Sequence, residues 1–203
     1  GIPARALATC LAALHILSPS GVLAVFGGAI VEGQSFPATS VVAITFYKQG
    51  PSIEKVLCTG TLIHPRLVLT ARHCTFALRG SEFVYFTANM TSKQVESRGV
   101  VGVYAGRDNR PPTAAELTDN HSRADDPDDL ALLLLESDAP ESAQIMRLAD
   151  ETTGERTFTT VHVAGYGGTG IDPLTMDTKG WDGILRTAEV PLVDPTGEAY
   201  HLT

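Results

Sequence analysis

The chain has 203 residues, which is enough for one large or two small β-domains with a hydrophobic core. It carries 15 basic and 23 acidic residues, which gives a formal net charge of −8. This excess argues against a nucleic-acid-binding protein, because such a protein needs a basic face. Hydrophobic residues form 43% of the chain, an ordinary share for a globular protein, and stretches with helical periodicity are scarce.

An apolar run near the amino terminus follows a basic residue. It covers residues 6–17, and only Thr9, Cys10 and His15 interrupt it. The run is too short to span a bilayer, but it has the length of the apolar region of a secretory signal. We therefore expect residues 1–29 to form a leader. A buried N-terminal helix and a lipidated Cys10 are the competing interpretations.

Short strands follow at a spacing that is typical of a barrel or a sandwich. The segment 64–66 separates two of them, since Pro65 donates no backbone hydrogen bond and fixes its own φ. The strand after this break leads directly to His73. Runs of apolar and β-branched residues predict strands over residues 41–47, 56–63, 67–70, 83–88 and 100–104.

A polar segment over residues 107–128 predicts a long surface loop. It ends at Asp129, which precedes an apolar run over residues 130–135. This run predicts a buried strand, so the Asp129 carboxylate at its edge is partly desolvated, whereas the neighbouring acids can stay in solvent. Residues 138–155 are acidic and loop-like, and we expect them to link two lobes. Two further strands are predicted over residues 158–166 and 185–193.

The segment around His73 resembles the histidine segment of trypsin-like serine proteases. The family pattern is C-x-G-[ST]-L-I, a short break and then V-L-T-A-A-H-C, and here residues 58–63 read CTGTLI and residues 68–74 read VLTARHC. The one departure inside the motif is Arg72, where the family usually has alanine. Two interpretations of Arg72 are open: its side chain points to solvent, or it acts on the neighbouring imidazole.

The resemblance implies an all-β fold of two six-stranded antiparallel barrels of the trypsin/chymotrypsin type. It implies that His73 is catalytic and that Cys58 and Cys74 form a disulfide, which favours an oxidising compartment. Residues 129–135 read DLALLLL, similar to the family's D-I-A-L-L-x-L, so the triad aspartate is assigned to Asp129.

The resemblance extends from about residue 30 to residue 193. Residues 30–33 read IVEG, which looks like the family's I-V-x-G amino terminus, so Ile30 is the expected mature N-terminus. The preceding residue is alanine rather than the arginine that an activating protease would cut. Residues 165–167 and 185–193 resemble the G-W-G segment and the next strand of the second barrel. The expected domains are therefore an N-terminal barrel over residues 30–137, the linker over 138–155 and a partial C-terminal barrel over 156–203.

The family's nucleophile segment, G-D-S-G-G, does not occur in these 203 residues, and the last serine is Ser142. Either the sequence is a fragment, or an early stop, of an active protease, or it is a degenerate homologue that binds without cutting. We favour the first explanation because His73 and Asp129 are both kept and because an unclosed second barrel would be hard to fold. The chain as written is expected to be inactive.

The resemblance implies that the complete protein is a secreted, extracellular serine endopeptidase. His73 would act as the general base and acid, and Asp129 would orient it. We expect a protein or peptide substrate, no nucleic-acid partner, no metal or organic cofactor, no membrane association of the mature form, and a monomer. A protease-like binding module is the alternative, and an unrelated β-sandwich adhesion domain would require the motifs to be coincidence. Four other histidines share no metal-ligand spacing with the cysteines or acids: His64, His121, His162 and His201.

Overall fold

The computed structural model describes residues 28–33, 37–48, 54–75, 82–110, 128–149, 160–171 and 178–191. Most of the expected leader and of the 107–128 loop, the end of the linker and the residues after 191 lie outside this part of the chain. Among the described residues, no helix is long and apolar enough to cross a bilayer.

The regular elements of the described chain are almost all strands, as the sequence predicted. The one short 3₁₀ helix among the described residues spans Arg72–Thr75. In chain order the strands are β1 (Ala29–Ile30), β2 (Val41–Lys48), β3 (Glu54–His64), β4 (Leu67–Thr70), β5 (Phe83–Phe86), β6 (Glu96–Ala105), β7 (Ala131–Leu135), β8 (Thr160–Gly165), β9 (Gly170–Ile171), β10 (Thr178–Lys179) and β11 (Arg186–Pro191).

Six strands close into an antiparallel barrel in the order β2-β3-β4-β7-β6-β5. Successive residues of each strand face the inside and the outside of the barrel in turn. The sequence predicted a buried strand over residues 130–135, but this apolar run is therefore not buried throughout: burial alternates along β7, and Leu130, directly before β7, is 60% exposed. The interior is filled by a cluster of apolar side chains, namely Val42, Ile44, Leu62, Val68, Cys74, Val84, Leu133 and Leu135.

Only β4 has the predicted length, and the other five barrel strands differ by one to five residues. β6 begins at Glu96 rather than at residue 100, because its polar first residues still pair with β5 while their side chains lie partly or fully in solvent. β5 ends at Phe86 because the chain turns there. The Thr87 hydroxyl both donates to the carbonyl of Asn89 and accepts its N–H, each at 3.0 Å, which replaces ladder bonds.

A second, smaller lobe contains a three-stranded sheet in the order β1-β11-β8 and a two-stranded pair of β9 and β10. The prediction of one complete and one partial barrel-type lobe is therefore confirmed for the described residues. The lobes meet at a second apolar cluster, whose buried members are Ala38, Val41, Ala43, Ala88, Tyr166 and Leu185.

Candidate active site

The backbone around His73 is held by a hydrogen bond within the turn and by a disulfide to β3. β4 ends at Thr70, and the chain then enters the 3₁₀ helix. The Thr75 hydroxyl donates to the carbonyl of Arg72 at 2.7 Å, and a disulfide joins Cys74 to Cys58 in β3. His73 itself is 42% exposed, so a fixed backbone presents an accessible ring.

The pairing of β4 with β7 brings Asp129 to this ring. Thr70 lies opposite Ala131 in the antiparallel ladder, so the residues that follow Thr70 run past those that precede Ala131. The side chain of Asp129 is 20% exposed. His73 and Asp129 are 56 positions apart in the chain, and the register of these two strands makes them neighbours.

Both carboxylate oxygens of Asp129 bind His73. Oδ1 accepts the backbone N–H of His73 at 2.8 Å, and Oδ2 lies 2.8 Å from Nδ1. An ionised carboxylate only accepts, so this contact favours the tautomer in which Nδ1 carries the proton. The arrangement leaves Nε2 as the basic nitrogen of the ring. The contact at Nδ1 orients the ring, and the contact with the backbone N–H holds the carboxylate in place beside it.

The neighbouring acid has a different partner, which distinguishes the two adjacent aspartates. Asp128 Oδ1 lies 2.8 Å from Nε of Arg107, in the turn after β6. Asp129 is thus the acid that contacts His73, and Asp128 contacts the turn beside it. The other two acids of this acidic stretch, at positions 125 and 126, lie outside the described residues.

Arg72 is buried, so its side chain does not point to solvent. It is 9% exposed, and its Nε donates to the carbonyl of Arg110 at 3.2 Å. Of the two interpretations that the sequence left open, the solvent-directed side chain is wrong.

Metal ligation is not favoured by the donor atoms at this site. Donor atoms of Cys58, His73 and Cys74 lie within 4.8 Å of one another. Two of them are sulfurs bonded to each other, whereas a cysteine binds a metal as its thiolate.

Ile30 lies in β1, directly after Ala29. It is 55% exposed and pairs with Arg186, while the next residue, Val31, donates its N–H to the carbonyl of Leu185 at 2.9 Å. A cavity of about 410 Å³ lies beside this segment, lined by residues 30–33 together with Thr87, Ala88, Asn89, Ser92 and Ile184.

Sequence reasoning missed the residues that join the lobes next to the site. The backbone N–H of Tyr166 donates to the hydroxyl of Thr59 at 2.9 Å, and the phenol of Tyr166 donates to the carbonyl of Thr87. Both contacts join residues far apart in the chain. The only signal in the sequence was the glycine at the end of β8: a Cβ at Gly165 would lie 3.1 Å from the hydroxyl of Thr59, so glycine permits this close approach.

Comparison with known proteins gives the class of this two-lobed β-protein. The Trypsin family model matches residues 27–199, which is most of the chain. The chain therefore belongs to the trypsin family. No curated protein matches it.

Solved structures share the fold at low sequence identity. The structure of GrC aligns with this chain at a TM-score of 0.62 and 19% sequence identity. The alignment covers 83% of this chain and 66% of the GrC chain. Human heparin binding protein has a TM-score of 0.58 and 21% identity over the same shares. A mutant of human heparin binding protein aligns at a TM-score of 0.55 and 19% sequence identity. That alignment covers 82% of this chain and 64% of the mutant chain. The chain thus spans slightly less than two thirds of each structure.

Proposed function

We propose that the complete protein is a secreted serine endopeptidase in which His73 and Asp129 are two members of the catalytic triad. The observation that carries this proposal is the pair of 2.8 Å contacts from Asp129 to the backbone and ring of His73. The nucleophile would be a serine outside residues 1–203, because no serine in the chain stands in a G-D-S-G-G segment.

The geometry of the pair supports general acid–base catalysis. A serine hydroxyl would transfer its proton to Nε2 of His73 as it attacks the peptide carbonyl, and the leaving amine would take that proton when the peptide bond breaks. Asp129 would hold the tautomer and stabilise the imidazolium that forms in between. A fixed ring reduces the orientational cost of both proton transfers.

The other parts of the proposal follow from the family and the disulfide. Residues 1–29 would be removed as a leader, and Ile30 would become the mature N-terminus. The mature protein would act outside the cell on proteins or peptides as a monomer, without a metal or organic cofactor. The Cys58–Cys74 disulfide supports an oxidising compartment. Amino-terminal sequencing of the secreted protein tests the position of the cut.

A protease-like binding module is the second candidate function. One structure with the same fold is a heparin binding protein by name. A polyanion needs a basic surface, however, and this chain has a net charge of −8. A protein partner is therefore the better match for such a module.

Sequencing the gene beyond the codon for Thr203 and expressing the full reading frame tests the proposal. We expect an in-frame G-D-S-G-G and hydrolysis of fluorogenic peptides. Asp129→Asn should lower kcat about 10⁴-fold, and His73→Ala should also abolish most of the activity. His162→Ala is the matched control, because this histidine is exposed on β8.

Two outcomes would contradict the endopeptidase. One is a stop codon directly after Thr203, and the other is activity that survives His73→Ala. The 203-residue chain alone should not react with a fluorophosphonate probe. Labelling of that chain would show that one of its own serines is the nucleophile.

A further inference from the structure

A charged side chain lies buried directly before His73 in the chain. A guanidinium that leaves water is costly unless it gains hydrogen bonds and packing. Arg72 is 9% exposed, and its Nε donates to the carbonyl of Arg110 at 3.2 Å. This bond crosses from the 3₁₀ helix to the turn that follows β6.

The stem of Arg72 packs against the start of the same turn. Gly106 has a φ of +60°, a conformation that L side chains rarely adopt. A Cβ at Gly106 would lie 2.9 Å from Cδ and 3.0 Å from Nε of Arg72. Glycine therefore allows both the backbone conformation of the turn and the close approach of the arginine.

The turn that receives Arg72 also binds both neighbours of Asp129. The N–H of Gly106 donates to the carbonyl of Leu130 at 2.9 Å. Arg107 pairs with Asp128 at 2.8 Å. Asp129 is thus held on either side by the turn, and its own carboxylate reaches back to His73, the residue next to Arg72.

These contacts form a closed ring from Arg72 through the turn at residues 106–110 and residues 128–130 to His73. We propose that Arg72 is a positioning residue, which sets Asp129 relative to the imidazole by holding that turn against the histidine segment. The catalytic consequence rests on the proposed function, whereas the effect on the His73–Asp129 contact does not. An alanine at position 72 would lack both the N–H donor and the stem that packs on Gly106.

The state of the His73 ring is the readout, because a residue with a merely structural role would not change it. In the protein expressed from the full reading frame and labelled with ¹⁵N-histidine, the nitrogen shifts of the ring report which nitrogen carries the proton. We expect the Nδ1–H form to dominate in the wild type. Arg72→Met keeps a similar stem but lacks the donor, so it should raise the share of the Nε2–H form, and Arg72→Lys should restore part of the original signal.

Arg66 offers a matched control in the same barrel. It also bridges from one segment to a backbone carbonyl of another, with Nε and Nη2 donating to Leu135 at 3.0 and 2.7 Å. That contact lies at the end of β7 opposite to Asp129. Arg66→Met should lower stability to urea but leave the His73 tautomer unchanged. If Arg72→Met does not fold, Arg72→Lys serves as the test, because it keeps a stem and a cation but lacks the Nε donor to the carbonyl of Arg110; a tautomer identical to that of the wild type would then count against the proposal.

The proposal is overturned if Arg72→Met keeps the wild-type tautomer, or if Arg66→Met changes it equally. In the full-length protein, Arg72→Met should reduce kcat by up to about 10²-fold with little change in KM. An inactive full-length protein whose His73 tautomer still depends on Arg72 would refute the endopeptidase but leave the positioning role intact.

Discussion

Replacement of Tyr166 by phenylalanine tests how the second lobe is held to the barrel. Tyr166 is 2% exposed, and its phenol donates to the carbonyl of Thr87 at the lobe junction. Tyr166→Phe keeps the packing of the ring but removes the donor from a buried carbonyl. The expected cost is about 1–3 kcal/mol in the free energy of unfolding at neutral pH.

The same phenol should make stability fall in alkaline solution. Burial raises the pKa of Tyr166 well above its ordinary value. The unfolded chain therefore loses this proton at a lower pH than the folded protein, so the stabilisation present below about pH 10 decreases as the pH rises. Between pH 9 and pH 11 one such group should remove about 1.4 kcal/mol of stability from the wild type. Tyr166→Phe has no phenol to ionise, so its stability does not fall in this way. The difference in the free energy of unfolding between the variant and the wild type should therefore decrease by that amount.

Urea unfolding at pH 8, 9 and 11 measures both effects. Trp181 is the one tryptophan of the chain and lies in the second lobe, so its fluorescence follows the unfolding of that lobe. Tyr104→Phe is the matched control, because Tyr104 is 53% exposed and should change neither the stability nor its pH dependence. A gap between Tyr166→Phe and the wild type that stays equal at pH 9 and pH 11 would refute this reasoning.

Two further predictions concern the barrel. The double variant Cys58→Ala with Cys74→Ala opens a loop of 16 residues, which should cost about 3 kcal/mol of stability on the loop-entropy model; an unchanged urea midpoint relative to the oxidised wild type would count against it. Gly60→Ala would place a methyl group 2.5 Å from Cγ1 of Val68, and this overpacking should cost about 1–3 kcal/mol. Gly170→Ala is its control, because a Cβ there meets nothing within 4 Å; equal losses of thermal stability in both glycine variants would exclude crowding as the cause.

Local signals were sufficient to predict most of the strands. β-branched runs and the break at Pro65 located β4 to the residue and β3 to within two residues at each end, because strand formation and proline geometry depend on nearby residues. The extension of β6 to Glu96 was missed, because those polar residues join the sheet through backbone pairing with β5 and not through buried side chains.

The candidate site was predictable only in part. The motifs pointed to His73 and Asp129, but contact between two residues 56 positions apart depends on the register of β4 against β7. The environment of Arg72 was invisible in the sequence, since nothing local indicates that a turn beginning at Gly106 folds over an arginine in another segment.

The sequence alone was enough to indicate an all-β protein of the trypsin family, because hydrophobic alternation, turn residues and the motif around His73 are all properties of short segments. The motif singled out Asp129, but which of its oxygens meets which nitrogen of His73, and that Asp128 pairs with Arg107, follows from strand pairing across the barrel. Tyr166 shows the same difference. The sequence places it in a segment that resembles G-W-G, whereas the carbonyl that accepts its hydrogen bond belongs to Thr87, 79 positions away. Long-range hydrogen bonds of this kind form only when the barrel and the second lobe pack together, so their partners are decided by the tertiary structure.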